Sequence, residues 1–150
     1  MKRVAILALL LLSAVWLRAF DLQYGELFCV TNLTQKKGKV ILPVTRGKYT
    51  NVRVVDKATY RLLKTCGNLC KQESLGGEIS VTQMRHAQTR DNMWIADVTV
   101  DSRWLLTFLV FRNKDGFDFI VPQNMRVIDK NWLQQIKQSI QTRIMQDELK

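Results

Sequence analysis

Three cysteines, one histidine and four closely spaced aspartates are the side chains of this 150-residue chain best suited to chemistry. Cys66 and Cys70 enclose Gly67-Asn68-Leu69, so they do not form a redox Cys-x-x-Cys, and with His86 as the single histidine they lack a zinc ligand set. A Cys–His nucleophile made from Cys66 or Cys70 with His86 needs a free thiolate, and exported cysteines oxidise instead. One intramolecular disulfide involving Cys66 is therefore expected. Cys29, on a core strand, and Cys70, on the loop after a helix, are its two possible partners. Asp97 with Asp101, and Asp115 with Asp118, have spacings that a two-carboxylate hydrolase could use. Asp101 and Asp115 fit turns, however, and Asp97 fits an exposed strand face. There is no Gly-x-Ser-x-Gly elbow, no Asp-rich calcium loop, no His-x-x-x-His and no glycine-rich phosphate cradle. The pattern nominates no catalytic residue, no metal ligand and no cofactor.

Charge is the more informative chemistry. Lys and Arg number 23 against 13 Asp and Glu, a formal net charge of +10. Lys36, Lys37 and Lys39 share one hairpin, and Arg46, Lys48 and Arg53 follow. Lys57, Arg61 and Lys64 then recur at i, i+4 and i+7, a single exposed stripe if that segment is helical. A basic exported protein is drawn to acidic polymers, anionic membranes or acidic proteins. Aromatic residues are not interleaved with these cations, which argues against single-stranded nucleic acid. Asn32-Leu33-Thr34 is a formal N-glycosylation acceptor, relevant in a eukaryotic source.

The elements that must carry these residues begin with a leader. Met1-Lys2-Arg3 is a positive start, Val4 to Leu17 is almost continuously apolar, and the chain turns polar at Arg18. That run is shorter than the roughly 20 residues of a membrane-spanning helix. Residues 1–19 therefore read as a signal peptide cleaved near Ala19, and residues 20–150 as a single α+β domain. Loss of Lys2, Arg3 and Arg18 lowers the charge by three and leaves the mature chain basic.

Strands are expected over Glu26–Leu33, Lys39–Leu42 and Tyr49–Val55, with turns between them. Asp56 can cap a helix over Lys57–Cys66 with Val55, Ala58, Leu62, Leu63 and Cys66 on its inner face, and Gly67-Asn68 can end it in the left-handed conformation. Further strands follow over Glu78–Met84, Met93–Val100, Trp104–Phe111 and Phe117–Val121. Trp94, Ala96, Val98 and Val100 share one face. Trp104–Phe111 is apolar enough to be covered on both faces, and Asp115-Gly116 marks a hairpin. Asp129 can cap a last helix from Lys130 to about Leu149, with Leu133, Ile136, Ile140 and Ile144 as its stripe.

The expected fold is α+β: a curved antiparallel sheet of about seven strands, with a short middle helix and a C-terminal amphipathic helix packed on it. The expected function is that of a small secreted or periplasmic, non-enzymatic binding protein that contacts a protein partner. The alternative is a polyanion-binding protein using Lys36, Lys37, Lys39, Lys57, Arg61 and Lys64 on an acidic polymer or anionic membrane surface. A hydrolase with an unrecognised site is the second alternative.

Overall fold

The computed structural model describes residues 17–41, 51–67 and 69–150. The leader up to residue 16, Arg46, Lys48 and Asn68 lie outside the described residues. Among the described residues, ten strands form two five-stranded sheets. The first contains β1 (Leu17–Tyr24), β2 (Phe28–Lys36), β3 (Lys39–Ile41), β5 (Leu69–Gln72) and β10 (Met125–Val127). Its order is β10-β2-β1-β5, with β3 on the far half of β2, and all its pairings are antiparallel except β1 with β5. The second sheet is antiparallel throughout. It contains β4 (Val52–Val54), β6 (Ile79–His86), β7 (Met93–Val100), β8 (Trp104–Asn113) and β9 (Gly116–Ile120). Its order is β4-β8-β7-β6, with β9 on the far half of β8. The α+β expectation holds, with two sheets where one was expected. Helix α1 (Lys57–Thr65) follows β4 and helix α2 (Lys130–Glu148) closes the described chain.

One core joins all four layers. Phe20, Leu22 and Tyr24 of β1 and Phe28, Val30 and Leu33 of β2 face Trp94, Ala96, Val98 and Val100 of β7 and Trp104, Leu106, Phe108 and Val110 of β8. The alternation in β2 skips a position because Asn32 sits in a bulge: Phe20 pairs with Leu33 but Leu22 with Val30. Asn32 adopts φ +57°, a left-handed geometry that asparagine tolerates, and its N–H donates to the Asp21 carboxylate at 3.0 Å. The bulge returns Leu33 to the core side. Tyr24 and Phe28 meet Trp104 edge-on at 6.1 and 6.0 Å, and Trp132 of α2 stacks on Phe28 at 5.4 Å.

Both helix starts follow from their caps. The Asp56 carboxylate accepts the Thr59 N–H, and Asp129 accepts those of Asn131 and Trp132. The inner face of α1 is rotated from the expected one. Thr59 and Leu63 are buried, whereas Val55 and Ala58 are exposed. The reason is a polar chain: Trp104 Nε1 donates to Gln72 Oε1 at 3.2 Å, and Gln72 Nε2 donates to Thr59 Oγ1 at 2.9 Å. A buried threonine with that partner is satisfied. Helix α1 does not end in a left-handed cap. Cys66 is extended, and its N–H returns to the Leu63 carbonyl. In α2, Trp132 joins Ile136, Ile140 and Ile144 in the core, with Leu133 packed at its margin.

Cys66 and Cys70 lie at disulfide distance, with Cα atoms 5.3 Å apart, and Cys29 is free. Cys29 does not cross the core to Cys66. Its neighbours Phe28 and Val30 face inward, so Cys29 points to the back of the sheet, where Arg126 donates to its Sγ at 3.3 Å.

Phe108 is fully buried between the sheets. Phe108→Ala should cost about 3–5 kcal/mol in urea denaturation. The amides of β7 and β8 should be among the slowest to exchange with solvent.

Candidate functional site

Three of the four aspartates singled out for chemistry, Asp97, Asp101 and Asp118, have carboxylates held by other groups. Asp101 and Ser102 occupy the β7–β8 turn with φ +50° and +55°, and the Arg103 N–H closes it on Val100. The Asp101 carboxylate accepts the Tyr24 hydroxyl at 2.6 Å and the backbone N–H groups of Leu75, Gly77 and Glu78 at 2.9, 3.2 and 2.8 Å. Burial pushes its pKa up, but these bonds outweigh burial and hold it below the ordinary carboxylate value. The same contact, after burial, pushes the Tyr24 hydroxyl up to about 12. Asp97 is buried, accepts from Thr107 Oγ1 at 2.7 Å, and pairs with Arg85 at 3.2 Å. Asp118 accepts from Asn113 Nδ2 at 2.6 Å, whereas Asp115 is exposed and only its backbone N–H donates, to Asn113 Oδ1 at 2.9 Å.

Gly77 is a packing site. Its φ is +72°, an added Cβ would stand 2.7 Å from Leu27 Cδ1, and its carbonyl accepts Trp132 Nε1 at 3.1 Å.

His86 ends β6, exposed, with its ring edge-on to Trp94 at 5.0 Å. Met84, Asp91, Trp94, Ile144, Asp147 and Glu148 complete a hollow of about 360 Å³ around it. Arg112 covers the rings of Trp94 and Phe117 and bonds Glu148 at 2.7 Å, which holds Glu148 below its ordinary pKa. Cys66 and Cys70 are paired with each other, so neither supplies His86 with a thiolate. Among the described residues no three His, Cys, Asp or Glu side chains converge as a metal site would require.

All six predicted binding cations are exposed, and none takes part in an ion pair among the described residues. The β2–β3 hairpin lies beside α1, where Gln35 Nε2 donates to the Lys64 carbonyl at 2.8 Å. Lys36, Lys37 and Lys39 therefore gather at one end of the molecule with Lys57, Arg61 and Lys64. They wrap around it rather than forming one plane, because Lys36 and Lys39 face away from the side of the hairpin carrying Gln35. Asn32 is exposed on its bulge.

The sequence reading missed the outer face of the second sheet. Leu105, Leu109 and Phe111 of β8, Met93 and Ile95 of β7 and Ile120 of β9 all lie outside the core cluster. Ile120, Leu109 and Ile95 align across three strands, and Phe111 pairs with Met93 beside them. Among the described residues, no second layer covers the outer face of β8, where only Thr107 is buried. Leu105, Leu109 and Phe111 are half-buried and Ile120 is 43% exposed, whereas Met93 and Ile95 on the neighbouring β7 are buried. A third surface is the groove of about 670 Å³ between the edge strand β6 and the polar side of α2, lined by Ile79, Val81, Gln135, Gln138, Ser139 and Thr142 among others. On its outer side β6 has no strand partner among the described residues.

No protein-family model, curated protein or solved structure matches the chain.

Asp101 makes stability depend on pH at both limits. Its depressed pKa contributes stability that is complete above the ordinary carboxylate value of about 4 and is lost as pH falls through the folded value. The raised Tyr24 pKa contributes stability that is complete below about pH 10 and is lost as pH rises through the folded value. Urea midpoints should trace both limbs. Asp101→Asn should flatten the acid limb and cost about 2 kcal/mol at neutral pH. Tyr24→Phe should remove the alkaline one.

Proposed function

We propose that this chain is an exported, non-enzymatic binding protein that holds a protein partner on the outer face of its second sheet. One observation carries this reading: Leu109 and Phe111 of β8 and Ile120 of β9 are accessible side by side on a face outside the core cluster, backed by the more deeply buried Met93 and Ile95 of β7. An apolar cluster bordered by polar groups is the usual anatomy of a protein interface, and here Asp97 and Thr107 border it on the side of Leu105. Arg53, Arg85 and Asp118 continue that border, and Phe111 provides an aromatic anchor. The mature chain, still basic after loss of Lys2, Arg3 and Arg18, suits a partner whose apolar contact surface is rimmed by acids. The leader at 1–19 and the Cys66–Cys70 pair fit a secreted or periplasmic setting. No described helix is long and apolar enough to cross a membrane.

The test uses a photoreactive residue at Ile120 in the protein's native source, with a second at Asp115 on the nearby hairpin turn. A single stoichiometric crosslinked protein is expected from position 120, absent from position 115. The added change Leu109→Gln should abolish it. Crosslinking equal from both positions, or none from position 120, overturns the reading. A crosslink to a second copy of the chain replaces it with self-association.

A further inference from the structure

The basic end is built at a cost. Lys36 and Lys39 pair directly across the hairpin, and Lys57, Arg61 and Lys64 follow one another along α1, so like charges are neighbours in both elements. No carboxylate relieves them among the described residues. Asp56 lines the same hollow as the stripe, and its carboxylate is engaged in capping α1.

Each element also presents apolar surface among its cations. Lys57, Arg61 and Lys64 ring a shallow hollow of about 300 Å³ with Val55, 54% exposed, and Tyr60 on its walls. On the hairpin, Ile41 is 45% exposed and shares its face with Lys36 and Lys39. Cations flanking exposed aliphatic and tyrosyl groups match a bilayer interface, where ammonium and guanidinium groups meet phosphates and the apolar groups reach headgroup depth. Stacked nucleobases fit less well, because Lys64 already lies 5.0 Å over the Tyr60 ring.

We propose that the α1 end docks on an anionic lipid surface through Lys57, Arg61, Lys64, Val55 and Tyr60, while the hairpin cations, on a face turned away from α1, add longer-range attraction. This surface is separate from the outer face of the second sheet, so either proposal can fail alone.

The full-length chain is mixed with phosphatidylcholine vesicles, with and without about one-third phosphatidylglycerol, and binding is read by co-sedimentation. The readout is the gain in binding on adding the anionic lipid, which discounts attachment through the leader's apolar run. The gain should shrink steeply between low and high salt, a measurement that needs no variant. The triple change Lys57→Gln, Arg61→Gln, Lys64→Gln should lower it about a hundredfold, each cation being worth about fivefold near such a surface. Thermal melting checks that the triple variant remains folded. Val55→Ser should reduce vesicle binding while leaving retention on heparin unchanged. No gain from phosphatidylglycerol overturns the proposal. So does heparin retention that depends on the three cations while vesicle binding does not, which would reassign this end to acidic polymers.

Discussion

The turn at Asp101 and Ser102 is the constraint on which the rest of the structure leans. Two consecutive non-glycine residues in the left-handed region cost of order 1–3 kcal/mol each. They persist because the Asp101 carboxylate is fixed by four donors from outside its own hairpin. Tyr24 belongs to the first sheet and Asp101 to the second, so their bond spans the two sheets and sets Tyr24 against Trp104. Gly77 donates to the same carboxylate, and its carbonyl receives Trp132. A single acidic side chain thus aligns both sheets and the start of α2.

With the two inner faces and both helices committed to one core, the outer face of the second sheet has no described layer left to cover it. Asp97, Thr107 and Arg85 make part of that face polar and self-satisfied. The rest is aliphatic and aromatic. The basic end lies on different elements, so partner contact and surface attachment do not compete for the same side chains.

Elements governed by local rules were legible in the sequence. Both helix starts follow from Asp56 and Asp129 because a cap depends on a residue and its next few neighbours. The β7–β8–β9 meander follows from alternation and from Asp115-Gly116. Strand β1 was hidden because it begins at Leu17, inside the apolar run read as a leader. Strands β5 and β10 are four and three residues long, too short for periodicity, and β5 is held by parallel pairing with the distant β1. The orientation of α1 depended on Thr59 finding Gln72, which no spacing reveals. The cations were legible from spacing alone, while the outer apolar face was not. An unbroken apolar strand looks the same whether its second face meets a layer or solvent. Only the register with Ile95 and Ile120 separates the two cases.

The placement of α2 along β6 bears on how long this molecule lasts. Ile79–His86 is an eight-residue edge containing no acidic residue or proline, and open edges of this kind recruit other strands. The bulge between Val81 and Gln83 and the neighbouring helix both obstruct such growth. Cutting the chain near Asp129 would strip the edge of its guard and expose the core positions that Trp132, Ile136, Ile140 and Ile144 fill. The clipped product is then a seed for aggregates rather than a smaller working domain, and resistance of the Pro122–Asp129 connection to proteases becomes a determinant of the protein's lifetime.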